Sequence, residues 1–160
     1  MIEPIKKEHL HKCLEIMKAG YENTAIQFGM TEENCPYRGR TRLPFRVFED
    51  EYNSGYLMYA YVCGSELAGF LSMHVKGHKM YINDIVVLPV YQNNGFGSML
   101  MRFAREQAKQ RNCDAIILGM VYENIPLRNW YKKQGFKTVG LKKYEKVKYT
   151  VATMELLLSL

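Results

Sequence analysis

Two groups of residues have types and spacings suited to chemistry. In the first, the apolar run Ile85-Val86-Val87-Leu88-Pro89 leads into Gln92-Asn93-Asn94-Gly95-Phe96-Gly97-Ser98 and then a helix-forming stretch. Proline lacks the ladder donor, so the regular strand must end there. A strand–turn–helix of this kind can aim successive backbone N–H groups at one point, where the helix dipole adds partial positive charge. Gly95 and Gly97 permit positive φ and close approach of a phosphate, and pyrophosphate is the natural guest. The glycines alone fit a plain connecting turn equally well. A dinucleotide fingerprint would need a third glycine where Leu100 stands. A triphosphatase loop would need Gly-Lys-Ser/Thr, which is absent. In the second group Asn124 precedes Tyr131 by seven positions. That is about two helical turns, so the two are expected on one helix face. By itself Tyr131 reads as an amphipathic core tyrosine or as a proton donor.

The elements that must position these groups are legible around them. Residues 1–6 suggest a short strand, and Leu10, Cys13, Leu14 and Met17 carry helical spacing. Residues 20–55 read as irregular, interrupted by Pro36, Gly39 and Pro44 and rich in Arg and aromatic side chains between Tyr37 and Phe48. Three strands follow, over 56–62, 67–75 and 80–88, with Gly64-Ser65 and Gly77-His78 as turns, so an antiparallel meander is expected. A helix is expected from near Ser98, with Leu100, Phe103, Ala104 and Ala108 on its apolar face. A buried strand over 115–120 then implies one parallel pair in a mixed sheet. The helix bearing Tyr131 should end at Gly135-Phe136, and residues 136–140 and 149–157 read as closing strands.

Composition narrows the class. The chain has 160 residues, 48% hydrophobic and 24% charged, as expected of one globular domain spanning 1–160. No apolar run reaches the ~18 residues of a membrane span, and the N-terminus lacks a signal-like apolar region. Cys13, Cys35, Cys63 and Cys113 form no CxxC and read as reduced thiols of a cytoplasmic protein. His9 and His11 have no accompanying ligands at metal spacing, so no metal is expected. The net charge of +6 suits a polyanionic partner. The basic residues are scattered without a stripe, and nucleic acid is not the expected partner.

Taken together, the motifs resemble the GNAT superfamily of N-acetyltransferases. That family carries Q/R-x-x-G-x-G/A after a strand often ending V-x-P, matched here by Val87-Leu-Pro89 and Gln92 to Gly97. It also carries N-x-x-A-x-x-L/F-Y closed by G-F, matched by Asn124, Trp130, Tyr131 and Gly135-Phe136, with Leu127 where alanine is common. The resemblance is sharpest over residues 80–140. It implies an α/β (α+β) GNAT fold: a mixed, mostly antiparallel sheet of six to seven strands, flanked by helices, with acyl-CoA in a cleft between splayed central strands.

The resemblance also implies roles. Acetyl-CoA would be the cosubstrate, and an amine, expected to be that of a small molecule, the acceptor. A protein α-amine or lysine, and a CoA-binding domain without chemistry, are the alternatives. The backbone of Ile85, Val86 and Val87 would pair with pantetheine, and Gln92, Asn93, Asn94, Gly95, Phe96, Gly97 and Ser98 would hold the pyrophosphate. Asn124 would bond the pantetheine arm, and Tyr131 would protonate the leaving thiolate, a role open to a phenol with reference pKa near ~10. The glutamates that serve as base in relatives have no counterpart: Tyr81 and Gly119 occupy two such positions, and Asn83-Asp84 stands where glucosamine-phosphate acetyltransferases carry Glu-Asp. Asp84, Glu123, His74 and a water chain past Asn83 are the candidates. Asp84 reads otherwise as a strand carboxylate satisfied by backbone donors. The Arg-rich 37–48 stretch could grip an anionic acceptor, and Lys142, Lys143, Lys146 and Lys148 fit a charged hairpin tip. A homodimer is left open.

Overall fold

The computed structural model describes residues 1–159. Seven strands form one sheet: β1 (Ile2–Pro4), β2 (Leu57–Cys63), β3 (Glu66–Lys76), β4 (Lys79–Val87), β5 (Ala115–Val121), β6 (Lys137–Lys143) and β7 (Thr150–Leu157). Their spatial order is β1-β2-β3-β4-β5-β7-β6, and only the β4–β5 pair is parallel. Four α-helices cover it: α1 (Leu10–Gln27), α2 (Phe45–Asn53), α3 (Phe96–Gln110) and α4 (Ile125–Lys133). The meander, the parallel crossover and the closing hairpin are those expected from the alternation of apolar residues. Among the described residues, no helix is long and apolar enough to cross a membrane.

Each face of the sheet carries its own core. Leu10, Cys13, Leu14 and Met17 of α1 and Phe48 of α2 pack on Met58, Ala60, Phe70 and Val86. On the other face Leu100, Met101, Ala104 and Ala108 of α3 and Tyr131 of α4 pack on Leu71, Met73, Met80, Ile82 and Ile116. Burial of these apolar faces, at ~25 cal/mol per Å², is the main force holding the three layers together.

Two features of β4 shape everything that follows. Pairing with β5 is confined to Lys79, Met80 and Tyr81 opposite Ala115, Ile116 and Ile117. Beyond that point the two strands part, leaving a wedge. The second feature is a bulge: Ser72 opposes Asp84 while Met73 opposes Ile82, so Asn83 is the extra residue. Parity changes there. Met80 and Ile82, then Ile85 and Val87, belong to the α3 face, whereas Val86 faces α1.

Residues 20–55 depart from the irregular segment expected. Helix α1 continues through Gly20 to Gln27, and α2 follows at Phe45. Gly20 does not stop the helix because tertiary packing overrides its weak propensity: a β-carbon there would lie 2.0 Å from Val86 Cγ1. Pro44 is a start signal rather than a break, since its φ of −65° leads into the first turn of α2. The connection between the helices is tight, with Tyr37, Arg38 and Arg40 all at positive φ (52°, 51° and 73°).

Candidate active site

The wedge between β4 and β5 opens into a cavity of about 680 Å³. One end is the turn before α3. That helix begins at Phe96, two residues earlier than expected, with Gly95 in the left-handed conformation (φ 79°) as its N-cap and no side chain capping it. The first ladder bond runs from Met99 N–H to the Gly95 carbonyl at 3.1 Å. The N–H groups of Phe96, Gly97 and Ser98 therefore have no acceptor within the helix. Gln92, Asn93, Gly95, Phe96, Gly97 and Ser98 all line the cavity. Gln92 Nε2 donates to the Val87 carbonyl at 3.0 Å, fixing the loop to the strand end. Asn94 does not line the cavity: its amide donates to the carbonyls of Tyr91 and Gln92, both at 3.1 Å, so it braces the turn. Uncapped amides beside an open concavity fit an anionic group such as pyrophosphate.

The middle of the cavity is walled by Ile85, Val86 and Val87 of β4, Leu118 to Val121 of β5, and Asn124, Leu127, Trp130 and Tyr131. Asn124 is the N-cap of α4 rather than a residue within it, and its Oδ1 accepts from Leu127 N–H at 3.4 Å. Tyr131 lies a further two turns along. Its ring is buried, packed edge-on against Trp130 and Phe136 with centroids at 5.2 and 5.6 Å. Gly135, at φ 102°, ends that helix as expected and lets Phe136 N–H return to the Tyr131 carbonyl at 3.1 Å. Tyr131 lines the cavity, its hydroxyl has no hydrogen-bond partner among the described residues, and burial pushes its pKa above the ordinary phenol value.

At the far end the cavity meets α1 and the connection after it, through Gly20, Tyr21, Thr24, Met30, Gly39 and Arg40. Phe28 and Met30 pack on Val121, Val147 and Tyr149, with the Phe28 and Tyr149 rings edge-on at 6.3 Å. The α1–α2 connection thus touches the segment joining β6 to β7, and its Met30, Gly39 and Arg40 roof this end of the cavity.

Beneath the roof sits a charged cluster that sequence reasoning missed. Asp84 is fully buried, but side chains and not backbone donors satisfy it. Tyr21 Oη donates to Asp84 Oδ1 at 3.0 Å, and Arg40 Nη2 donates to Oδ2 at 2.9 Å. Arg40 Nε lies 2.8 Å from Oδ1 but out of hydrogen-bond alignment, so that contact is electrostatic. Arg40 Nη2 also reaches Glu51 Oε1 at 2.9 Å. Despite the guanidinium, burial holds the Asp84 pKa above the usual carboxylate value. The only sequence signal for the cluster was the polar pair Asn83-Asp84 inside an apolar strand.

The remaining expectations resolve differently. Arg38 is bound to Glu22 (3.0 and 2.9 Å) and Arg40 to Asp84 and Glu51, so neither is free to grip an acceptor anion. Glu123 is spent on the Thr150 N–H. His74 is sandwiched between Tyr56 and Tyr81 (4.8 and 5.1 Å), with Nδ1 3.0 Å from Asn83 Oδ1. Neither Glu123 nor His74 lines the cavity, whereas Asn83 does, with its buried Nδ2 unpartnered among the described residues. No three metal-ligating side chains come together among those residues.

Known proteins share this plan. N-alpha-acetyltransferase 30 of Dictyostelium discoideum is 24% identical over 149 residues, covering 81% of this chain and 77% of that protein. Thialysine N-epsilon-acetyltransferase of Bos taurus is 28% identical over 140 residues, covering 84% and 82%. The crystal structure of the paiA N-acetyltransferase of Thermoplasma acidophilum in complex with coenzyme A superposes with a TM-score of 0.76 at 18% identity, covering 99% of this chain and 98% of that one. The model of the acetyltransferase (GNAT) family matches residues 26–136. The open β4–β5 wedge, the uncapped α3 turn and this match agree, and the chain belongs to the GNAT family of N-acetyltransferases.

Proposed function

We propose that this chain transfers the acetyl group of acetyl-CoA directly to the primary amine of a small molecule, without an acyl-enzyme. The observation that carries the reading is Tyr131, which lines the cavity with its hydroxyl proton uncommitted. Two turns before it stands Asn124, and across the wedge lie the free amides of α3. In this reading Phe96, Gly97 and Ser98 N–H groups hold the pyrophosphate, with Gln92, Asn93 and Gly95 shaping the loop. Asn94 braces that loop from outside the cavity. The exposed backbone of Ile85 to Val87 and the Asn124 amide take the pantetheine arm.

Acetyl-CoA supplies an activated acyl group, and the chain supplies position and protons. Tyr131 gives its proton to sulfur as the C–S bond breaks. Burial makes a lasting phenolate costly, so Tyr131 must regain a proton from the attacking nitrogen in the same step.

The α1–α2 connection, which brings Met30, Gly39 and Arg40 to this end of the cavity and packs on Tyr149 through Phe28 and Met30, supports a small acceptor over a protein chain, because an extended peptide would need an open channel between those segments. The test is thioester turnover with spermidine, glucosamine, lysine, thialysine and a methionine-initiated tetrapeptide, with CoA binding followed by calorimetry. Turnover of one of the four small amines, with little of the peptide, is expected. Peptide preference would move the acceptor class to proteins. CoA binding without turnover of any amine would make this a binding domain.

A further inference from the structure

We propose that Tyr21 and Asp84 together take the proton from the acceptor amine: Tyr21 Oη receives it while the Tyr21 proton passes to Asp84 Oδ1. This rests on the acetyltransferase reading above and supplies the base that reading lacks.

The placement comes first. Tyr21 lines the same cavity as Tyr131, at the acceptor end. Its hydroxyl already donates to Asp84 at 3.0 Å. The Asp84 side chain has no exposed surface, so a proton from the cavity reaches it through that phenol. The bulge at Asn83 and the close approach of Gly20 to Val86 create this contact, by turning Asp84 toward α1 and seating α1 directly on β4.

The charge count supplies the driving force. Arg40 is one guanidinium shared between two carboxylates, Asp84 and Glu51, and Tyr21 is neutral. The part-buried cluster therefore carries one excess negative charge, which protonation of the fully buried Asp84 removes. Burial and Glu51 raise the Asp84 pKa, while Arg40 and the Tyr21 hydrogen bond lower it, and the balance is upward. Such a cluster attracts an alkylammonium ion and then accepts its proton. Tyr21 on its own is no base, since burial and Asp84 raise its pKa. It serves only as the bridge. Glu123 and His74 are engaged elsewhere and lie outside the cavity lining, and the Asn83 amide has no basic lone pair of use.

The step balances. The ammonium loses one proton through Tyr21 to Asp84, and the freed lone pair forms the N–C bond. The C–S bond breaks with its electrons on sulfur. Sulfur takes the Tyr131 proton, which is replaced from the same nitrogen. Asp84 later returns its proton through Tyr21 to water. Ammonium and thioester become amide, thiol and one released proton.

The experiment measures kcat/KM against pH for wild type, Tyr21→Phe, Glu51→Gln and Asp84→Asn. The probe is whichever of spermidine, glucosamine, lysine or thialysine wild type acetylates fastest. For Tyr21→Phe a loss of about 10²-fold is expected at neutral pH for an amine of lysine-like pKa, narrowing to several-fold as pH approaches the chosen amine's own pKa, where the acceptor arrives deprotonated. Glu51→Gln should shift the acidic limb to lower pH, because a negative charge that raises the Asp84 pKa is gone. Should Asp84→Asn not fold, the other two variants carry the test, since neither leaves a buried charge unpaired. A Tyr21→Phe deficit constant across pH, no deficit, or an unmoved limb in Glu51→Gln would each overturn the relay while wild-type turnover leaves the acetyltransferase reading standing. Absence of wild-type turnover would overturn both.

Discussion

Gly20 of α1 lies so close to Val86 of β4 that a β-carbon on Gly20 would come within 2.0 Å of Val86 Cγ1. This approach sets the next residue, Tyr21, over Asp84, two positions before Val86 on the same strand. Gly20→Ala should therefore overpack the interface by about 1–3 kcal/mol, partly offset by a helix-propensity gain of about 1 kcal/mol. Val86→Ala removes the opposing methyls, so the double variant should recover stability lost in Gly20→Ala. A double-mutant cycle of melting temperatures checks this. Strict additivity would mean the helix simply shifts along the strand.

Removing the Tyr131 hydroxyl separates chemistry from binding. Tyr131→Phe keeps the ring packed between Trp130 and Phe136, so the fold and the cavity wall should persist. We expect kcat to fall about 10²-fold with little change in CoA affinity. Because burial raises the pKa of this phenol, the wild-type rate should show no basic limb from Tyr131 below the ordinary tyrosine value of ~10. A basic limb near neutrality that vanished in Tyr131→Phe would contradict the raised pKa, and an unchanged kcat in Tyr131→Phe would contradict the acid role.

At the proposed pyrophosphate end, Gly95→Ala tests the turn. No atom crowds a β-carbon there, but φ is 79°. An alanine in that conformation costs about 1–2 kcal/mol, and relief of the strain would swing the α3 amides off their common target. The expected result is a several-fold rise in the KM for acetyl-CoA with the acceptor KM unchanged. Equal increases in both would show a general loosening instead.

The proposed donor half of the site was written in local sequence. The strand–proline–glycine order of Val87 to Gly97 needs only neighbours to be read, and so does the Asn124–Tyr131 spacing. The proposed acceptor half was not. Tyr21, Arg40, Glu51 and Asp84 come from four separate segments. Gly20 and Pro44 looked like breaks because propensity reports isolated chains, whereas here packing against Val86 and the entry to α2 decide. The bulge at Asn83 left no periodic trace except two adjacent polar residues in an apolar strand. The arginines of 38–40 looked available because their carboxylate partners, Glu22, Glu51 and Asp84, are 11 to 44 positions away.

Arg40→Met probes that hidden cluster most directly. Arg40 is the cation that offsets Asp84 and Glu51, and breaking a buried pair from one side costs about 3–5 kcal/mol. The penalty depends on pH with a defined sign. Without the guanidinium the folded-state pKa of Asp84 rises further above its unfolded value, from a starting point already raised. Stability is then retained while Asp84 is protonated and lost as pH climbs through that folded pKa. The variant should thus lie closest to wild type near the unfolded carboxylate value of ~3.9 and fall furthest below it at neutral pH. Urea melts of both proteins across this range measure the difference. A gap that is constant with pH would mean Arg40 contributes packing through its stem, with Asp84 finding another counter-charge.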